Sequence, residues 1–116
     1  MENKYKQLKV WQKSMDLVEV IYQLTKKLPS NEQYILINQI LRSVISIPSN
    51  IAEGYGRFHK KEKKQFLTIA YSSSLEVETQ LEIIKKVYTN IDVTDLLISV
   101  NEIQKMLNSY IVQIEC

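Results

Sequence analysis

Arg42-Ser43-Val44-Ile45-Ser46-Ile47-Pro48-Ser49-Asn50-Ile51-Ala52-Glu53-Gly54-Tyr55-Gly56 is the stretch that decides the fold of this chain. Val44, Ile47 and Ile51 keep helical spacing on both sides of Pro48. A proline inside a helix removes one backbone hydrogen bond and kinks the axis. Two outcomes are open, a break at Ile47-Pro48 or one bent helix. The apolar pattern continues through Ile51 and Ala52, so the spacing predicts one bent helix over residues 31 to 55. Gly54 and Gly56 follow as candidates for a left-handed terminator. Arg42, Ser46, Asn50 and Glu53 recur at four-, four- and three-residue spacing and form a polar ridge on that helix. Polar groups on an otherwise apolar helix cost free energy unless they find partners. Arg42 is expected to pair across the bundle with Glu76, or along its own face. Asn50 and Glu53 are expected to satisfy backbone groups at the Pro48 kink. The plainer alternative is that all four side chains are simply exposed.

The flanking segments repeat the helical period. Val10, Leu17, Ile21, Leu24 and Leu28 predict a first helix over residues 8 to 28, with Trp11, Met15, Val18 and Tyr22 broadening its stripe. Pro29 ends it, because the residue before proline is pushed out of the helical region, and Ser30 or Asn31 can cap the next helix. Phe66, Ile69, Ala70, Ser73, Val77, Leu81, Ile84 and Tyr88 predict a third helix over residues 60 to 89. Its run Ser72-Ser73-Ser74 offers small side chains for close approach by a neighbour. A fourth helix over residues 94 to 115, capped by Thr94 or Asp95, carries Leu97, Val100, Ile103, Leu107, Tyr110, Ile111 and Ile114. Two glycines and two prolines in 116 residues leave little turn material, which favours a few long helices over a sheet. The expected fold is all-α: one domain, an antiparallel up-down-up-down four-helix bundle with a Pro-bent second helix.

Composition narrows the function classes. The longest uninterrupted apolar run is Tyr34 to Ile37, from which no membrane span is expected. The first residues carry lysines with no apolar segment behind them, so no secretory signal is expected. The single cysteine, Cys116, cannot form an internal disulfide, and a cytoplasmic location is expected. His59 is the only histidine, so no histidine pair is present to hold a metal. Two glycines leave no phosphate loop and no dinucleotide fingerprint. Glu53, Glu76 and Glu78 lack the Glu-x-x-His partners of a di-metal bundle. No enzymatic activity, metal or cofactor is expected.

One segment stands out by charge. Arg57-Phe58-His59-Lys60-Lys61-Glu62-Lys63-Lys64 sets five cations against one carboxylate. Residues 90 to 116 are acidic by contrast, with Asp92, Asp95, Glu102 and Glu115 against Lys105. Arg57, His59, Lys60, Lys61, Lys63 and Lys64 are therefore the candidate contacts to RNA or DNA. Cations neutralise phosphates, and Phe58 or His59 can stack on an unpaired base. A solvated helix start accounts for the same charges. Trp11, Tyr22, Tyr34, Tyr55, Tyr71 and Tyr88 exceed what a small four-helix core encloses. They are either interface residues or amphipathic surface rings.

Several motifs together resemble the proteins encoded in intervening sequences of bacterial 23S ribosomal RNA genes. Leu8-Lys9-Val10-Trp11-Gln12-Lys13-Ser14-Met15 is similar to that family's opening, and Leu28-Pro29-Ser30-Asn31-Glu32 to its first turn. Gln39-Ile40-Leu41-Arg42-Ser43 resembles its Q-x-x-R-A pattern, with Ser43 in place of alanine. Asn50-Ile51-Ala52-Glu53-Gly54 matches outright, and Phe66-Leu67, Ala70, Ser73 and Glu76 resemble its F-L-x-x-A-x-x-S-x-x-E run. The resemblance implies a left-turning antiparallel bundle that assembles as a homopentamer around a central channel. It also implies kinship with the accessory proteins of diversity-generating retroelements, bundles thought to bind nucleic acid and a reverse transcriptase. No catalytic activity comes with it. The combined expectation is a non-enzymatic oligomer that binds RNA or DNA through its basic segment, the alternative being a protein-interaction scaffold.

Overall fold

The computed structural model describes residues 4–114, and Cys116, with the last residue expected in the fourth helix, lies outside them. Four helices carry the fold: α1 (Lys9–Thr25), α2 (Asn38–Tyr55), α3 (Lys60–Val87) and α4 (Thr94–Gln113). A 3-10 turn over Lys4–Gln7 precedes α1. Neighbours in sequence are neighbours in space, and α1 closes the ring against α4. Short links with this adjacency give the antiparallel up-down-up-down bundle. At about 1.5 Å per residue, the 28 residues of α3 span nearly the whole 44 Å long axis.

The predicted stripes build the core. Val10, Leu17 and Ile21 of α1, Ile40, Val44, Ile47 and Ile51 of α2, Val77, Leu81 and Ile84 of α3, and Val100, Ile103 and Leu107 of α4 are all buried. Burying one such side chain contributes roughly 1.5–3 kcal/mol. Some expected core positions face outward: Ile69 is exposed, as is Tyr110 near the end of α4.

Around Pro48 the structure selects the continuous alternative. The residue is buried within α2, and the helix runs unbroken through it. The entry to this helix is less regular than expected. A 3-10 turn over Ser30–Glu32 passes into a π-helical turn over Gln33–Ile37 before α2 begins. The wider π turn leaves Tyr34 and Ile35 exposed while Leu36 and Ile37 are buried. Neither Ser30 nor Asn31 supplies the expected side-chain cap. The stretch Ser30–Tyr55 is also long and apolar enough to cross a bilayer, by length and composition alone. That corrects the expectation drawn from uninterrupted runs, because spacing by single polar residues does not remove such a span. In the bundle its apolar side is the face buried against the other helices.

The glycines act differently from expectation. Neither has a positive φ. Gly56, at φ −79° and ψ −6°, ends α2 in right-handed geometry, its N–H donating to the Ala52 carbonyl while the Arg57 N–H donates to that of Gly54. Gly54 is buried where α3 passes close by. A Cβ there would sit 3.1 Å from Phe66 Cβ and 3.3 Å from the Lys63 carbonyl oxygen. Close approach, not backbone handedness, requires glycine at this position.

At the start of α4, Asp92 does what was expected of Thr94 or Asp95. Its Oδ1 accepts the Thr94 N–H at 2.9 Å. Hydrogen bonding from Thr94, first through its side chain and then its backbone, holds the Asp92 carboxyl below the usual range, with Lys27 adding to the effect.

Candidate functional site

The polar ridge on α2 divides into a seam and a surface. Ser46 Oγ meets Ser73 Oγ of α3 at 2.8 Å. Asn50 Nδ2 donates to the Ser46 carbonyl at 2.8 Å and to Ser46 Oγ at 2.9 Å. One turn earlier, Gln80 Nε2 of α3 donates to Ser43 Oγ at 3.1 Å, and Ser43 Oγ donates to the Gln39 carbonyl at 2.9 Å. Small serines on both helices permit this contact, the most extensive between any two helices of the bundle. The proposed Arg42–Glu76 pair does not form: both side chains are exposed, and no ion pair joins them. The reason is register, since Ser73 and Gln80 occupy the inward positions of α3 and turn Glu76 out. Asn50 does bond the backbone near Pro48, but at Ser46 rather than at the Val44 carbonyl that proline deprives of its usual donor. Glu53 bonds no backbone group among the described residues. It faces Arg57 one turn on, with Oε2 3.6 Å from Nη2. Glu78, on α3, accepts from Gln104 Nε2 of α4 at 3.0 Å.

The basic segment also divides. The Arg57 guanidinium lies over the Phe66 ring, 4.6 Å from its centroid, and faces Glu53. Lys63 turns back onto the bundle, its Nζ 2.9 Å from the Tyr55 carbonyl oxygen and 5.5 Å from the centre of the Tyr55 ring. His59 flanks the first turn of α3 with extended backbone and makes no side-chain cap. Phe58 is 95% exposed, so nothing in the bundle holds it. Lys60, Lys61 and Lys64 are exposed and form no ion pair among the described residues. Lys60 and Lys64 are one turn apart, and Lys61 is adjacent, so the three share one flank of the helix.

Their position adds to their charge. The first turn of a helix carries unpaired N–H groups and the positive end of the macrodipole. Lysines there oppose helix stability and reinforce an anion-attracting field. Glu62 is the one acid in that turn. The antiparallel topology brings the start of α1 to the same end of the bundle, where Leu8 and Lys63 line one cavity. Exposed Lys4, Lys6 and Lys9 therefore join the basic end. Sequence reading missed them because they lie far from residue 60 in the chain. Asp92 belongs to the link before α4 and Asp95 to the first turn of that helix, at the opposite end.

Among the described residues, no three His, Cys, Asp or Glu side chains come together as a metal site would need. Gln80 Oε1 is buried without a hydrogen-bond partner. It borders a groove between α2 and α3 lined by Ile35, Leu75 and Ile83, all three substantially exposed.

The solved structure of a protein of unknown function from Bacteroides thetaiotaomicron, assigned to the S23 ribosomal protein family, is similar to this chain. It superimposes with a TM-score of 0.79 at 32% identity, covering 88% of this chain and 97% of that one. No curated protein matches. The family described as 23S rRNA-intervening sequence protein matches residues 6–109. That match takes in the α2 stretch around Pro48, the Ser46–Ser73 seam and the close approach at Gly54, so this chain belongs to the 23S rRNA-intervening sequence protein family.

Proposed function

We propose that this protein is a non-enzymatic, cytoplasmic, self-assembling bundle that binds RNA or DNA through the basic end of α3. One observation carries the reading. Lys60, Lys61 and Lys64 stand exposed and unpaired among the described residues, the first two on the opening turn of α3, where positive charge is least favourable to the helix itself, and Lys64 one turn on from Lys60. Phosphate contact supplies the compensation that the fold does not. Arg57, His59 and Lys63 lie beside them as secondary contacts, and Phe58 offers an exposed ring for stacking. A homopentamer, as the family resemblance implies, would repeat the patch around a ring and raise avidity without new contacts.

The test is a salt titration of binding to labelled structured RNA, with solution mass followed by light scattering. Three phosphate contacts per protomer predict a slope of log affinity on log salt of about −2 to −3, from the single-strand to the duplex limit. Reversing Lys60, Lys61 and Lys64 to glutamate abolishes binding if the reading is right. Salt-independent association would sink it.

A second reading has its own support. The groove of Ile35, Leu75 and Ile83 is an exposed apolar surface between α2 and α3. It suits a protein contact, with a second copy of this chain or with another protein, and the lysines would then serve solubility alone. Association through that groove responds little to salt, which separates the two readings.

A further inference from the structure

We propose that a cavity at the basic end of the bundle receives the base of an unpaired nucleotide, so that the protein selects single-stranded over fully paired nucleic acid. The proposal rests on the reading of Lys60, Lys61 and Lys64 as a phosphate-binding face.

The cavity has a volume of about 320 Å³ and forms where the start of α1, the end of α2, the start of α3 and the end of α4 converge. Small-molecule sites run from roughly 300 to 1,000 Å³, so this one suits a single ring system rather than an extended chain. Ile51, Leu67 and Ile114 give it apolar walls, and Tyr55 and Tyr110 add two aromatic rings. Both tyrosines are partly exposed, at 43% and 36%, so their rings are reachable from solvent. Aromatic faces stack on any base, because every base presents a π surface.

Lys63 joins this cavity to the lysine face. It lines the cavity and follows Lys60 by three residues in α3, directly before Lys64. Its ammonium has three hydrogens, of which the Tyr55 carbonyl takes one. A strand whose phosphates lie along Lys60 and Lys64 is thereby carried past the cavity mouth, with a Lys63 donor free for the adjoining phosphate. A paired base cannot enter without being flipped out, which costs stacking and pairing energy. An unpaired base enters without that cost. The charge on the rim and the two rings favour a nucleotide over an aliphatic acid.

The experiment compares the full chain's affinity for a short fluorescein-labelled oligouridine and for a blunt RNA duplex of equal charge. The parent is expected to prefer the single strand by about 10-fold or more. Tyr110→Ala removes a stacking ring, and Ile114→Trp fills the cavity; each should weaken single-strand binding by about 10-fold and leave duplex binding unchanged. Thermal melts confirm that both variants fold, and Tyr110→Ser replaces either one that does not. A 2-aminopurine placed in the oligonucleotide should be quenched by the parent and not by Ile114→Trp. Equal affinity for strand and duplex, or variants that weaken both alike, overturns the cavity's role while leaving the lysine face standing. Failure of the parent to bind either ligand overturns both. Decanoate that fills the cavity without displacing oligouridine also overturns the proposal, and assigns the cavity to an apolar acid.

Discussion

At Gly54 a single methyl group decides between two opposing effects. Alanine in a helix interior gains roughly 0.5–1 kcal/mol over glycine through backbone entropy. Here the added carbon would press on Phe66 Cβ and on the Lys63 carbonyl, both fixed to the backbone of α3 rather than at flexible side-chain tips. Overpacking of that kind costs about 1–3 kcal/mol. Gly54→Ala is therefore expected to lower the melting temperature, and a rise would remove close approach as the reason for glycine. The serines show the same economy of volume. Ser43 and Ser73 are buried polar residues in the seam of α2 and α3, Ser74 is buried beside Ser73 on α3, and each has a hydrogen-bond partner.

At the scale of the element, the α2–α3 seam depends on Asn50 rather than Arg42. Asn50 makes two short bonds in a half-buried position, and a net intramolecular hydrogen bond contributes about 1 kcal/mol. Asn50→Ala is expected to cost about 1–2 kcal/mol, whereas Arg42→Ala, on an exposed side chain, should stay within about 0.5 kcal/mol. Chemical denaturation of the two variants checks the order, and the reverse order would restore the cross-bundle pair. The start of α4 carries a pH signature. Thr94 holds the Asp92 carboxyl below its ordinary pKa, so folding favours the ionised form. Its contribution is present above the unfolded carboxylate pKa and is lost as pH falls through the lowered folded value. Asp92→Ala should therefore melt below the parent at neutral pH, and the gap should close in acid. A gap that stays constant with pH would show that the Asp92 charge does not matter.

Over the whole molecule, antiparallel topology converts a local run of charge into a basic end. The start of α1 and the start of α3 are brought together, so Lys4, Lys6 and Lys9 add to the field of Lys60, Lys61 and Lys64. These side chains are exposed and contribute no buried packing, and acids suit the helix start that Lys60 and Lys61 occupy, so the triple glutamate reversal should melt at or above the parent while removing nucleic-acid binding. A large loss of stability in that variant would mean that the lysines serve the fold. Lys13 and Glu102, 2.6 Å apart across α1 and α4, form an exposed pair of the kind that contributes about 0–1 kcal/mol. Apolar burial, not ion pairing, holds the bundle.

The sequence by itself determined the four helices, their approximate limits, the stripes that become the core and the membership of the family. It did so because helical periodicity is local, and Val10 to Leu28 or Val77 to Ile84 can be read without knowing what they touch. Continuity through Pro48 was legible for the same reason. Only the tertiary structure decided the partners of the polar ridge, since the rotational register of α3 against α2 puts Ser73 opposite Ser46 and turns Glu76 outward. It also decided that Gly54 is a contact glycine, that Asp92 opens α4, and that Arg57 and Lys63 fold back while Lys60, Lys61 and Lys64 stay free of ion pairs among the described residues. These depend on residues brought together from distant parts of the chain, and periodicity within one helix carries no information about its neighbour's register.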